Sequence, residues 1–244
     1  MQVLCVIPAR IGSTRLPEKP LQILGEEPLI RHTARRGLEL AVAQRVVVAT
    51  DDERVARAVS DLPVDVAVSD QPYTSGTERV AAVHRMAEFE TYDMVLNLQG
   101  DEPFVPESAV RGALSRVSDG DAIGTAAATL SPRELEEPNV TKVWIDAGGY
   151  ARDFSRQAPA PPAVTALRHI GVYAYRSSAL ERWVAAPPAV RERREGLEQL
   201  RPMSYGEVIG VTVLDEAAPP GIDTPRDLIA AANYLQESRT QVRV

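Results

Sequence analysis

The chain has 244 residues and a single cysteine, Cys5. A lone thiol forms no intrachain disulfide, so a reducing compartment is the expected setting. Cys5 stands inside the apolar run 3–7 and reads as a small buried hydrophobe, not a nucleophile. Long hydrophobic runs are also missing. No unbroken apolar stretch outlasts a strand or a helix, so no membrane span is expected. The start of the chain lacks a basic region, a following apolar region and a small-residue cleavage site; we expect no secretory leader and a cytoplasmic location. Basic residues are in deficit, with 27 Lys and Arg against 34 Asp and Glu and a net charge of −7. That balance argues against general nucleic-acid binding. An acidic protein that binds a polyanion must gather its cations in one place.

Residues 8–20 do so. The apolar run 3–7 reads as a buried strand, and the chain then turns small, polar and basic. Arg10, Arg15 and Lys19 fall within ten residues of one another. Gly12, Ser13 and Thr14 between them let backbone N–H groups approach a ligand. Pro17 and Pro20 disfavour a long helix there. A strand end that opens into a Gly/Ser loop with clustered cations is how α/β proteins hold phosphates. The pattern is not the P-loop of the NTPases, which needs a second glycine followed by Lys and Ser or Thr. A plain basic surface loop is the competing reading.

The rest of the first half alternates. Helices are expected over 28–40, 53–61, 78–89 and 106–117, and strands over 45–50, 64–68, 94–98 and 122–130. Asp52 is placed to cap the second helix. Strand–helix alternation predicts an α/β fold with an open, doubly wound, mostly parallel sheet. Ligands bind such sheets beyond the carboxyl ends of the strands. The loops 8–20, 69–78 and 99–103 meet that rule. The second half differs. Residues 142–146 and 150–154 flank Ala147-Gly148-Gly149, a hairpin signal. A Pro/Ala-rich loop at 158–163, a strand over 168–175, helices over 178–185 and 191–201, a strand over 208–214 and a closing helix over 225–235 follow. The tail beyond is polar and expected to fray.

Five stretches, taken together and in order, resemble the CMP-Kdo synthetases, the 3-deoxy-manno-octulosonate cytidylyltransferases. They are Pro-Ala-Arg-x-Gly-Ser-Thr-Arg-Leu-Pro-x-Lys-Pro at 8–20, Ala-Thr-Asp-Asp at 49–52, Ser-Gly-Thr-Glu-Arg at 75–79, Gln-Gly-Asp-Glu-Pro at 99–103, and Glu-Gln-Leu-Arg at 198–201 with Gly-Ile-Asp-Thr-Pro at 221–225. The resemblance spans roughly residues 3 to 235. It implies a nucleotide-diphospho-sugar transferase-like fold in one domain over 1–244, with a smaller hairpin-containing sugar-binding and dimerisation insertion at about 140–205. It also implies a homodimeric, Mg²⁺-dependent enzyme that moves CMP from CTP to the anomeric hydroxyl of a 2-keto-3-deoxy sugar acid, for lipopolysaccharide synthesis.

By that resemblance Ala9, Arg10, Ser13, Arg15 and Lys19 line the CTP side, and Arg10, Lys19 and Asp101 are catalytic. Ser75 and Gly76 open the helix that contacts the cytidine, a role compatible with a plain helix cap. Asp101 and Asp223 lie at the ends of different strands and are implied as Mg²⁺ ligands, with Glu102 as a neighbour directed elsewhere. Either aspartate alone would more often be a turn or cap residue. The sugar acid falls to Gln99, Arg156, His169, Tyr173, Glu198 and Gln199. His169 has a structural reading as well, and His32 and His84 have only that one. The nucleophile is the substrate's own hydroxyl, and no Ser/His/Asp or Cys/His constellation is visible. Catalysis is then positioning and electrostatics. The chain departs from the family at 157–163, which is apolar and has no cation, and this leaves the sugar's identity open. A cytidylyltransferase for a sialic-acid-like nonulosonate and a non-catalytic nucleotide-binding protein are the alternatives.

Overall fold

The computed structural model describes residues 1–157, 166–215 and 219–241. In chain order come β1 (Val3–Ala9), a 3-10 turn (Lys19–Leu21), the short pair β2 (Ile23–Leu24) and β3 (Glu27–Pro28), and α1 (Leu29–Glu39). Next are β4 (Arg45–Thr50), α2 (Glu53–Ala58), β5 (Asp65–Val68), α3 (Gly76–His84), β6 (Met94–Leu98) and α4 (Glu107–Ser118). The second half holds β7 (Ile123–Thr129), α5 (Pro132–Glu136), β8 (Lys142–Ile145), β9 (Ala151–Ser155) and β10 (Leu167–Arg176). It ends with α6 (Ser177–Ala185), α7 (Val190–Glu195), α8 (Leu200–Ser204), β11 (Ile209–Leu214) and α9 (Pro225–Gln241).

β1 is buried along its whole length because both of its faces are covered. Cys5 and Ile7 enter one core cluster with Ile30 and Ala34 of α1 and Val110 and Ala113 of α4. Leu4 and Val6, one pleat away, enter a second cluster with Val80 of α3 and Leu180 and Trp183 of α6. A strand covered on both sides reads as an unbroken apolar run without period-2 alternation, and that run is how it was identified. The α1 face that meets the sheet carries Leu29, Ile30, Thr33, Ala34 and Gly37 at helical spacing. A fully buried Leu or Ile side chain contributes about 1.5–3 kcal/mol here.

The strand order is β11-β7-β10-β6-β1-β4-β5, with the β8–β9 hairpin attached beside β10. Every strand of that path runs parallel to its neighbours except β10, which is antiparallel to both β6 and β7. The sheet is therefore mixed. β10 reverses because the chain enters it from the β8–β9 hairpin side, not from a helical crossover of the kind parallel strands need. A register shift between Ile170 and Tyr173 bends β10 beside Gly171.

Several expectations need correction. The single charged helix expected over 191–201 is two helices, because α7 ends at Gly196 in the left-handed conformation, φ 65°. α3 begins at Gly76 and ends at His84, where residues 78–89 were expected. Ser75 sets that start by accepting from the Glu78 amide at 3.2 Å. α9 continues to Gln241, so residues 236–241 are helical where a frayed tail was expected; the last three residues lie outside the described ones. The 3-10 turn, β2, β3 and α5 were not foreseen; all are too short to show a period. The Pro/Ala-rich stretch 158–163 lies outside the described residues.

Candidate active site

A cavity of about 720 Å³ opens beyond the carboxyl ends of β1 and β6. The loops 8–20, 69–78 and 99–103 reach it, as the sheet rule requires. Two close approaches hold two of its walls. A Cβ on Gly100 would sit 2.7 Å from the Pro8 carbonyl oxygen, so only glycine lets the 99–103 loop lie against the end of β1. A third core cluster joins Leu16, Leu24 and Leu29 to Ile222 and Ala231 of the C-terminal segment. Burying Leu16 and Ile222 together brings Lys19 and Asp223, 204 positions apart, into contact.

The cationic wall differs from its sequence reading in detail. Ala9, Arg10, Ser13, Arg15 and Lys19 all line the cavity. Arg10 is exposed and makes no ion pair among the described residues. Lys19 is committed: its ammonium lies 2.6 Å from Asp101 Oδ2 and 2.6 Å from Asp223 Oδ1. Burial pulls the Lys19 pKa down, but the two carboxylates outweigh it and hold the ammonium above its ordinary value. Arg15 lies 3.0 Å from Asp223 and donates to Asn139 Oδ1 at 3.3 Å. Two loop amides are spent internally. Ser13 N–H donates to the Ile11 carbonyl at 2.9 Å, and Ile11 N–H to Asp51 Oδ1 at 2.9 Å. The Gly12 and Thr14 amides have no partner among the described residues.

The acidic pair converges as expected. Burial pushes the Asp223 carboxyl up, but Lys19, Arg15 and Arg156 outweigh it and keep it below the usual carboxylate range. The Ile222 amide donates to the Asp101 carbonyl at 2.9 Å, so the two acidic loops are hydrogen-bonded to each other. Among the described residues no group of three or more His, Cys, Asp or Glu side chains gathers as a metal cage. Glu102 turns away from the pair and accepts the Gly171 amide at 3.1 Å. Burial, and then the Asp101 charge, push its carboxyl up to about 8.

The second half closes the cavity. Arg156 is held beside Arg15 by Asn139, whose carbonyl accepts from it at 3.2 Å. Buried Lys142 fixes the Arg156 backbone by donating to its carbonyl at 2.8 Å. Gln99 and Gln199 line the same space. The Tyr173 hydroxyl is buried with no hydrogen-bond partner among the described residues, and its ring stacks on Tyr175 at 5.9 Å. His169 lines the cavity, but its Nε2 lies 3.0 Å from Thr125 Oγ1. Burial, with the Arg168 charge second, pushes its pKa down to about 3, so it is a neutral ring and not a cation. Glu198 also departs from a purely sugar-facing placement: its carboxylate accepts the Thr77 amide at 3.2 Å, at the start of α3.

Residues 4–209 match the family model described as "Cytidylyltransferase". The 3-deoxy-manno-octulosonate cytidylyltransferase of Xanthomonas euvesicatoria pv. vesicatoria is 47% identical over 242 residues, covering 92% of this chain and 93% of that protein. The enzyme of the same name from Gemmatimonas aurantiaca is 45% identical, covering 96% and 94%. This chain belongs to the 3-deoxy-manno-octulosonate cytidylyltransferase family. A solved CMP:2-keto-3-deoxy-manno-octonic acid synthetase, complexed with CTP, superposes with a TM-score of 0.88 at 34% identity, covering 98% of this chain and all of that one. A 4-diphosphocytidyl-2C-methyl-D-erythritol synthase from Anaerococcus prevotii shares the fold, with a TM-score of 0.65 at 15% identity.

Three residues in the shared stretches of this cytidylyltransferase had no assigned role from sequence. Asp51 reaches the amide of Ile11 and the guanidinium of Arg79. Arg79 lines the cavity at 5% exposure, with one buried nitrogen, Nη1, lacking a hydrogen-bond partner. Arg201 is buried and bonds Glu192 of α7 at 2.6 Å and Glu78 of α3 at 3.1 Å. Glu78 in turn accepts from the Thr74 amide at 2.8 Å, so Arg201 braces the 73–78 loop from behind. Their membership in motif stretches was the available signal. What they touch required the fold. Of the structural readings, Cys5 is buried, with its thiol pushed up to about 12, and His84 bonds the Tyr92 carbonyl at 3.1 Å.

Proposed function

We propose that this cytidylyltransferase transfers CMP from CTP to the anomeric hydroxyl of 3-deoxy-manno-octulosonate, giving CMP-Kdo and pyrophosphate, with Mg²⁺ required. One observation carries the reading: in a chain 47% identical to a 3-deoxy-manno-octulosonate cytidylyltransferase, unpaired Arg10 faces the same cavity in which Asp101 and Asp223 converge. In the reaction the anomeric oxygen bonds to the α-phosphorus. The bond from that phosphorus to the bridging oxygen breaks, pyrophosphate leaves with the electron pair, and the hydroxyl proton passes to solvent.

Arg10 and the open amides of Gly12 and Thr14 offset the triphosphate charge, with Ser13 beside them. Asp101 and Asp223 suit Mg²⁺ because both present hard carboxylate oxygens to a single cationic point, each 2.6 Å from Lys19 Nζ. The bound metal supplies charge neutralisation at the phosphate and acidifies the attacking hydroxyl. Lys19 holds the two carboxylates adjacent, and with Arg15 it keeps that of Asp223 below the usual carboxylate range. Ala9, Ser75 and Gly76 bound the nucleoside end, and the free Nη1 of Arg79 offers it a donor. On the sugar side Arg156 faces the substrate carboxylate, while Gln99, Gln199, the Tyr173 hydroxyl and the neutral His169 ring offer polar contacts. Glu198 acts through the start of α3. A homodimer and a cytoplasmic setting belong to the same reading.

Pyrophosphate release should require CTP, 3-deoxy-manno-octulosonate and Mg²⁺ together, stop on chelation and resume when Mg²⁺ is restored. Asp101→Asn should lower kcat about 10²-fold or more. Competition among sugar acids tests the acceptor: turnover confined to a sialic-acid-like nonulosonate would move the assignment to that substrate. Full turnover by Asp101→Asn would remove the metal role.

A further inference from the structure

Asp51 and Asp52 stand side by side at the end of β4 and do different work. Asp52 is a helix cap: its Oδ1 accepts the Arg54 amide at 2.7 Å and starts α2. Asp51 caps nothing. Its two oxygens go to two different cavity walls, Oδ1 to the Ile11 amide at 2.9 Å and Oδ2 to Arg79 Nη2 at 3.2 Å. The Arg79 guanidinium is further fixed by the Tyr73 ring, whose centroid lies 5.0 Å away. With Nη2 held and the plane set by Tyr73, Arg79 Nη1 is left as a buried donor with no acceptor among the described residues.

A buried, charged N–H without a partner is costly, and such a group is retained where something else supplies the acceptor. We infer that Asp51 is a positioning residue for the nucleotide: it aims the Arg79 guanidinium into the cavity and sets the backbone of the 8–20 loop relative to the start of α3. The assignment rests on the reading that this cavity binds CTP. The acceptor Arg79 takes is an oxygen of the nucleoside portion, because Arg79 belongs to the helix that Ser75 and Gly76 open and lines the cavity with them. Asp51 touches no substrate itself and acts only through Arg79 and Ile11.

Asp51→Asn separates the two halves. The asparagine carbonyl still accepts the Ile11 amide, while the charge that orients Arg79 is gone. Steady-state kinetics on the purified enzyme should show KM for CTP rising about tenfold, with kcat and KM for the sugar acid within about twofold. In an Arg79→Met background the same substitution should change KM for CTP less than about twofold, since its route of action is already cut. Additive effects in the double variant would overturn the inference. So would an equal loss in kcat and in both KM values, which is what general loosening of the fold produces. Arg79→Met alone gives a second reading should Asp51→Asn fold poorly: its KM for CTP must rise while KM for the sugar acid does not. Wild-type enzyme that releases no pyrophosphate from CTP would sink the cytidylyltransfer reading; wild-type turnover with insensitive Asp51 and Arg79 variants sinks only this one.

Discussion

At the scale of single residues, His169 ties one wall of the cavity to the sheet through Thr125 Oγ1, 3.0 Å away. Its folded pKa is held near 3 by burial and by Arg168, below the ordinary histidine value near 6.5. Between those values the unfolded chain binds a proton that the folded one refuses, so stability rises with pH across the window. It is fully present above pH about 6.5 and is lost as pH falls toward 3. At pH 5 this one group should cost about 2 kcal/mol at most, by about 1.4 kcal/mol per unit. Urea unfolding of wild type and His169→Gln at pH 5 and pH 7.5 measures it: the variant should lose less stability between the two. Equal losses would place the histidine's titration outside the folding equilibrium. Candidate site residues were legible here only as types. A histidine at the end of a buried strand says "sugar wall or structure", and the choice of a neutral ring follows from a burial that no local pattern encodes. Lys19 is the same case: its charge was plain in the sequence, but its two aspartate partners lie 82 and 204 positions away.

At the scale of elements, α3, α7 and α8 are joined by one side chain. Arg201 is 2% exposed and makes three hydrogen bonds to Glu192, at 3.0, 2.9 and 2.6 Å, besides its bond to Glu78. The network explains why the stretch expected as one helix breaks at Gly196. A straight continuation would carry Arg201 around the axis and away from Glu192. The bend returns it, and leaves Glu198 facing the start of α3. Removing the guanidinium alone strands the buried Glu192 carboxylate and takes a partner from half-buried Glu78; breaking a buried pair from one side typically costs about 3–5 kcal/mol. Arg201→Met should therefore lower unfolding stability by about that amount, and Arg201→Met with Glu192→Met should recover part of it. Denaturant titration decides this; a loss below about 1 kcal/mol would show the network to be dispensable. Because Glu78 holds Thr74, the weakened variant should also raise KM for CTP.

At the scale of the whole molecule, the alternation of strands and helices was legible at β1, β4, β6 and β7 because each of these strands is apolar and buried, and at the longer helices because each has a period; β5, half exposed, was legible only as a short valine-rich run. The direction of β10 was not legible, since strand propensity has no sign and the reversal depends on the hairpin before it. What composition does convey is a contradiction in charge: a chain of net charge −7 that must attract a strongly anionic nucleotide. The fold resolves it by spacing. Its acidic excess is spread over the exterior, often in ion pairs such as Arg31 with Asp61 and Arg85 with Glu181. Arg10, Arg15, Arg79 and Arg156 face one cavity. The same cavity holds Asp101 and Asp223, but its lining carries more cations than carboxylates; a cleft with such an excess focuses its field and raises the encounter rate with the opposite charge, and salt removes that advantage. The Debye length shrinks from about 10 Å at 0.1 M to about 3 Å at 1 M. kcat/KM for CTP should therefore fall several-fold as NaCl rises from 0.05 to about 0.5 M, with saturating kcat changing less. Thermal unfolding should move little over the same range, because exposed pairs contribute only about 0–1 kcal/mol each. A kcat/KM indifferent to salt would mean that the exterior's negative field cancels the cleft's, and that contact geometry, not attraction at a distance, brings the nucleotide in.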